Sequence, residues 1–162
     1  MKKKFEYIFL TVILSALSFL AYNTYKSYTF STSPLPQSYK EQIEQKENEI
    51  VANMQKHFGV AYRFPIVVTD KIPGRLYGLT SYENGKITIY LNKKVMQESF
   101  EYMISDVIAH EYAHALLFKL HQYHSKNDGH SKVWKETCQA LGGKNCQQYV
   151  NQKEIILSKM PF

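Results

Sequence analysis

Residues 110–114 place two histidines and a glutamate at a spacing that suits metal chemistry. The segment reads His110-Glu111-Tyr112-Ala113-His114, the H-E-x-x-H pattern. On a helix, residues four apart lie on the same face, so both imidazoles can reach one metal ion. Glu111 then stands beside them, where it could act as a base toward a water molecule. Apolar runs flank the motif. Burying three polar side chains among them costs free energy unless a ligand satisfies their polar atoms. The motif therefore predicts a metal site, with zinc as the expected ion.

A catalytic zinc ion usually takes three protein ligands and leaves a fourth position for water. The candidates for the third ligand are His121, His124, His130 and Glu136. Glu136 lies 22 residues after His114, near the separation found in thermolysin-like enzymes, whose third ligand is a helical Glu. His130 lies 16 residues after His114, in a turn that enters a predicted helix and can aim a side chain back at its neighbour. The spacing leaves both open, whereas His121 and His124 are expected in a solvated loop.

The elements that must position these residues can be read from periodicity and turn signals. Apolar residues at helical spacing predict a long helix from about Gln97 to Lys119 that carries the motif. A β-branched run predicts a strand at Phe64–Thr69. Two more strands, Leu76–Glu83 and Lys86–Asn92, flank Asn84-Gly85, a strong signal for a two-residue hairpin turn.

Further helices are predicted on either side of these strands. Residues 38–41 have capping-box spacing and begin an amphipathic helix that ends at Gly59. Its apolar stripe consists of Ile43, Ile50, Val51, Met54 and Phe58. Ser131 could cap a last helix that ends at Gly142-Gly143, and Gln147–Met160 could be a short helix or an edge strand. The pattern predicts an α+β fold in which a short, mainly antiparallel sheet packs on the motif helix.

The N-terminal segment changes the expected compartment. After three lysines, Tyr7 to Tyr25 contains no charged residue. As a helix it would rise about 28 Å, close to the roughly 30 Å hydrocarbon core of a bilayer. The lysines precede the span, so the positive-inside rule places residues 1–6 in the cytoplasm and exports the rest. We therefore predict a transmembrane signal anchor at 7–25, a linker at 26–37 with an extended spacer from residue 29, and a folded domain at 38–162.

Two other interpretations of this segment stay open. Ala16-Leu17-Ser18 offers the small residues that a signal peptidase reads, so the segment could be cleaved and the domain secreted. It could also be a buried core helix, although the lysine flank argues against that. No Cys directly follows the apolar run, which excludes lipoprotein processing.

Composition excludes other classes of protein. The chain has 162 residues, of which 44% are hydrophobic, as expected for one packed domain and not for a disordered or multidomain protein. Its net charge of +6 arises from 20 Lys and Arg against 14 Asp and Glu. Beyond the N-terminal lysines this charge is spread without a basic run, so it does not predict a nucleic-acid partner.

At the motif and after it, the chain resembles the SprT-like metalloprotease family. The family pattern is H-E-x-x-H-A, a loop, a Gly-His ligand and then Trp or Phe. This chain has the motif followed by Ala115, then Gly129-His130, Trp134 and Leu141-Gly142. A strand at 65–69, a Gly at 74 or 78 and an I-x-L strand at 89–91 also match, so the resemblance covers about residues 40–147. Ser131 departs from the pattern, because many members have a second Gly there.

The resemblance implies a small zincin fold with one catalytic Zn²⁺, ligands His110, His114 and His130, and Glu111 as general base. It also implies an edge strand that pairs with an extended substrate, a role we expect for Lys86–Leu91. Tyr62, Tyr77, Tyr82 or Tyr112 could steady the oxyanion. Well-known relatives act on DNA-bound proteins inside cells, and the predicted anchor argues against carrying that link over.

The two cysteines fit an exported domain. Cys138 and Cys146 form no C-x-x-C pair, so a second zinc site is not expected, and a disulfide across the Gly142-Gly143 turn is. The predicted function is a membrane-anchored zinc metallopeptidase acting on protein or peptide substrates. The alternative is a non-catalytic, zinc-stabilised binding module presented at the membrane surface. Glu111 favours the enzyme, because a purely structural site has no need of it.

Overall fold

The computed structural model describes residues 2–72, 76–122 and 129–147. The chain divides into two compact units between Leu35 and Pro36. The first unit contains helix α1 (Lys2–Thr32). The second contains α2 (Gln37–Phe58), β1 (Ile66–Thr69), β2 (Gly78–Glu83), β3 (Lys86–Asn92), α3 (Lys93–Tyr102), a π-helical turn (Met103–Val107), α4 (Ile108–Lys119) and α5 (Lys132–Ala140). The predicted α+β class is confirmed.

Helix α1 is long and apolar enough to cross a membrane, a property that a signal sequence shares. It has 31 residues, and its large apolar side chains, such as Phe9 and Leu14, are exposed. Hydroxyl groups along it are satisfied internally, since Thr11 and Ser15 each donate to the carbonyl one turn earlier at 2.8 Å. An apolar surface with internally bonded polar groups is what a helix needs in hydrocarbon.

The break between the two units is shorter than predicted. We expected an extended spacer over 29–37, but α1 continues to Thr32 and only residues 33–36 lie outside the helices. Thr29 and Thr32 donate to carbonyls one turn earlier at 2.9 Å, so the Ser- and Thr-rich sequence stays helical. Pro36 then precedes α2, which starts at Gln37 without a side-chain cap. The capping box predicted at 38–41 was therefore wrong.

The three strands form a mixed sheet in the order β1-β3-β2. β3 pairs with β2 antiparallel over six residue pairs and with β1 in parallel over four. Asn84 and Gly85 have φ values of 52° and 78°, the positive values of a type I′ turn, so the predicted hairpin is confirmed.

Strand β3 is the central strand of this sheet. Its residues Ile89 and Leu91 are fully buried, and both of its edges are paired. The expectation that Lys86–Leu91 offers a free edge to a substrate is therefore wrong. When helices cover only one face of a sheet, apolar and polar residues alternate in its central strands as well as in its edge strands. The alternation therefore does not distinguish the two. Among the described residues the open edge next to α4 belongs to β2.

Helix α4 packs against the sheet and against α2 and α5. Ile108, Ala109, Ala113 and Leu116 are fully buried. The predicted end of the motif helix at Lys119 is confirmed, but the helical stretch starts earlier, at Lys93, and is interrupted. The interruption consists of a kink at Ser99, whose φ and ψ are −133° and 26°, and of the π-helical turn, which widens the helix just before the motif.

The ends of the flanking helices follow the predicted signals. Gly59 ends α2, and the Ser131 hydroxyl caps α5 by accepting the Trp134 N–H at 3.2 Å. Of the predicted stripe on α2, Ile43, Ile50 and Met54 are buried, whereas Val51 and Phe58 are half-buried. Residues 148–160, for which helix and edge strand stayed open, lie outside the described residues.

The exposed apolar surface of α1 predicts how the chain fractionates. The full chain is expected to stay in the membrane fraction after a carbonate wash, whereas a chain that begins at Ser33 is expected in the soluble fraction. Immunoblotting of both fractions checks this. A soluble exported form of the full-length product that begins at Phe19 would show cleavage and contradict the anchor.

Candidate metal centre

Three imidazoles converge between α4 and the segment that enters α5. The Nε2 atoms of His110 and His114 are 3.3 Å apart, and His130 Nε2 lies 3.2 Å from that of His114 and 3.1 Å from that of His110. Three nitrogen ligands of a tetrahedral zinc ion, each about 2.0–2.1 Å from it, are about 3.3–3.4 Å apart. The triangle is therefore the right size for one metal ion held through three Nε2 atoms, and it is compatible with zinc.

The protonation of these histidines also suits a metal. Burial, followed by the nearby charge of His130, lowers the pKa of His110 to about 4. Burial, followed by the other two histidines, lowers the pKa of His114 to about 3. Both rings are thus neutral near pH 7 and have a lone pair to donate, as a metal ligand must.

Local backbone geometry brings His130 to the site. Gly129 has a φ of 76°, which a residue with a side chain rarely adopts, and this turn directs the chain into the Ser131 cap of α5. Glu136, the competing candidate, is 63% exposed and lies 3.7 Å from Lys132 as an ion pair. His121 is exposed, and His124 lies outside the described residues. The structure therefore groups His130, and not Glu136 or His121, with the motif histidines.

Trp134 forms a wall of the site. Its ring centroid lies 4.6 Å from that of His110, 5.2 Å from that of His114 and 4.5 Å from that of His130. The indole is 1% exposed. The residue that the family pattern places after the Gly-His pair thus fixes all three imidazoles by packing.

Glu111 is buried beside the histidines, against strand β2. Its Oε2 accepts a hydrogen bond from the Thr80 hydroxyl at 2.7 Å. A Cβ atom on Gly78 would lie 2.8 Å from Glu111 Cγ, so only glycine allows the strand to approach this closely. Burial raises the pKa of Glu111 to about 7, although the Thr80 hydrogen bonds act to lower it. A carboxylate with a pKa near 7 can both accept and release a proton at neutral pH.

A second layer of contacts holds His110. Its ring donates a hydrogen bond to the backbone of Gln147. The segment before Gln147 is fixed twice: Cys146 forms a disulfide with Cys138 on α5, and the Asn145 N–H donates to the buried Asp106 carboxylate at 2.7 Å. Support of this kind orients a ligand ring and sets its tautomer.

Sequence reasoning missed part of this support. Thr80 could have been found from the two-residue period of β2, which places it on the same face as Gly78. Asp106 looked like an ordinary helix residue, and the contact at Gln147 is made by backbone, which leaves no trace in residue type.

The four tyrosines considered for oxyanion stabilisation make other contacts. The Tyr112 hydroxyl donates to Glu47 and accepts the Phe64 N–H at 3.4 Å. Tyr82 stacks on Phe118 with ring centroids 5.6 Å apart. Tyr77 packs edge-on against Tyr102, and Tyr62 lies beneath Lys119. The oxyanion role stays a prediction without an assigned residue.

Comparison with known proteins adds one finding. The model of the SprT-like family matches residues 34–155, which contain the whole of the site described above. No curated protein and no solved structure matches the chain significantly.

The geometry ranks the two candidates for the third ligand. His130→Ala is expected to lower the metal content of the purified protein sharply, because it removes one of three converging nitrogens. Glu136→Gln is expected to keep near-normal metal content, since its side chain is exposed and only pairs with Lys132. Elemental analysis of both variants checks this. The reverse ranking would assign the site to a Glu-ligand class.

The disulfide gives a second prediction for this region. It closes a loop with a sequence separation of 8 and is expected to stabilise the fold by roughly 2–3 kcal/mol. Protein recovered from an oxidising compartment should show no free thiol in denaturant, and two after reduction. Two titratable thiols before reduction would contradict the bond.

Proposed function

The chain belongs to the SprT-like family, and on that premise we propose that it is a zinc-dependent metallopeptidase. The observation that carries the proposal is the triangle of Nε2 atoms with the buried Glu111 carboxylate beside it. Three converging histidines and an acid that is not a ligand form the arrangement that hydrolytic zinc sites use. In this proposal His110, His114 and His130 are the ligands and Glu111 is the catalytic residue.

Each side chain then has a defined task. A bound zinc ion would polarise the scissile carbonyl and make a water molecule acidic enough to lose its proton near neutral pH. Glu111 accepts that proton and passes it to the departing amine nitrogen. Thr80 holds Oε2 of the carboxylate, so Glu111 keeps one orientation in both proton transfers. Trp134 keeps the three imidazoles in place during the reaction.

The substrate is proposed to pair with β2. In the hairpin, Glu83 and Lys86 flank the two-residue turn and exchange backbone hydrogen bonds, so every second residue of β2 directs its N–H and C=O away from β3. These residues are Gly78, Thr80 and Tyr82. An extended peptide on that edge would run past Glu111, which lies against Gly78 and Thr80.

The location of the enzyme is also part of the proposal. Helix α1, which begins with three lysines, supports a single-pass anchor whose N-terminus is cytoplasmic, so that the peptidase unit is exported. The disulfide supports the same side of the membrane, because such bonds persist in oxidising compartments. Cleavage of the segment would give a secreted form of the same enzyme.

The buried carboxylate favours the enzyme over a zinc-stabilised binding module. A structural site needs the three histidines and the disulfide, but it gains nothing from Glu111. Burying this carboxyl costs free energy, as its raised pKa shows. A module without catalysis would be more stable with an apolar residue there.

A single-atom change tests the assignment. Glu111→Gln is expected to keep the metal but lower peptide hydrolysis by a factor of at least about 100, because the amide cannot accept a proton. Glu136→Gln, the same change at an exposed position, is the matched control and should leave hydrolysis unchanged. The measurement is the cleavage rate of a casein-like substrate alongside metal content. Equal rates for wild type and Glu111→Gln would refute the catalytic role.

A further inference from the structure

A cavity of about 380 Å³ lies where the turn end of β2 meets the C-terminal end of α4. Its volume falls within the range of ligand pockets. Its aromatic walls come from three parts of the chain: Tyr62 and Phe64 before β1, Tyr82 on β2 and Phe118 on α4. Tyr82 and Phe118 stack with ring centroids 5.6 Å apart. Tyr82 and Phe118 thus place the cavity beside the strand and the helix that carry the proposed active site.

Within the described part of the chain, the two charged side chains that line this cavity, Arg63 and Lys119, are both basic, and no acidic side chain lines it. His121 also contributes to the lining. Arg63 is paired with Glu47 at 3.3 Å, so its charge is partly offset. Lys119 Nζ lies 5.3 Å from the centroid of the Tyr62 ring. The aromatic ring holds this ammonium at the cavity without neutralising it.

We propose that this cavity is a substrate subsite that accepts an acidic side chain, with Lys119 binding its carboxylate. The inference rests on the proposed peptidase function and adds a preference for Asp or Glu at one substrate position. The stem of the side chain would pack on the Tyr82 and Phe118 rings. The complementarity is one of charge and of shape, since the rings offer an apolar surface to the stem while the exposed Lys119 ammonium meets the carboxylate.

The register of β2 indicates which substrate position enters the cavity. Thr80 contacts Glu111, and Tyr82, two residues further along the same face, lines the cavity. Two residues of an extended peptide advance about 6.6 Å. The acidic side chain therefore belongs to the residue two positions from the one that lies opposite Thr80.

The test uses the full chain, zinc-loaded in detergent, and pairs of peptides that differ only by Glu or Gln at one position. Separate pairs of peptides place this Glu or Gln at each position around the cleaved bond in turn. Wild type should favour Glu by about fivefold in kcat/KM at one position, near the upper end expected for a solvent-exposed ion pair. Raising the salt concentration should reduce this preference. Lys119→Met should abolish it, whereas Lys132→Met, which removes an exposed lysine on α5, should retain it.

The outcomes separate this inference from the proposed function. Hydrolysis that depends on Glu111 but shows equal rates for Glu and Gln at every position would overturn the subsite and leave the peptidase standing. Absence of hydrolysis would overturn the peptidase. The subsite is then tested by fluorescence anisotropy, with the same peptides labelled and bound to zinc-loaded Glu111→Gln protein. Tighter binding of the Glu peptide that is lost in the Glu111→Gln/Lys119→Met double variant supports the subsite. Equal binding of the Glu and Gln peptides rejects it.

Discussion

Full or partial burial of four polar side chains around helix α4 is the constraint on which the rest of this unit depends. Three imidazoles and one carboxyl group lie in an environment that disfavours charge, which lowers the pKa of His110 and of His114 and raises the pKa of Glu111. Because a metal ion is the natural partner of three converging nitrogens, metal binding and folding are expected to be coupled here. The surrounding elements keep these groups together against that cost. Trp134 packs on the rings, Thr80 holds the carboxylate, and the Gln147 backbone fixes His110.

The main role of the sheet is to hold these buried groups in position, more than to stabilise the fold in general. The sheet has only three strands, and the strand of the hairpin that contributes to the site is the outer one, β2, and not the inner one, β3. Gly78 lets the backbone of that arm reach Glu111, and Thr80 follows two residues later on the same face. A single strand therefore orients the proposed base and presents the open edge on which a peptide can lie. The short type I′ turn ends this strand at the basic, aromatic cavity.

Local signals were sufficient for some parts of the structure and not for others. The H-E-x-x-H spacing, the Asn84-Gly85 turn and the Ser131 cap are determined by residues a few positions apart, so the sequence predicted them correctly. Strand order was not predictable in this way, because β3 alternates as an edge strand would and is central only through its pairing with β1. The length of α1 was missed because Ser and Thr were taken as loop formers, although their hydroxyls bond within the helix. Choosing His130 over Glu136 required the Gly-His-Trp resemblance in addition to spacing.

Trp134 is the only tryptophan in the chain. Its ring lies within about 5 Å of all three imidazoles, while 13 tyrosines are distributed over the remaining sequence. Emission from this one indole therefore arises beside the candidate metal centre. A paramagnetic ion such as Co²⁺ at the three nitrogens would quench that emission at very short range. The packing that holds the ligands thus also provides an intrinsic optical probe of the site, one that needs no label and no substrate.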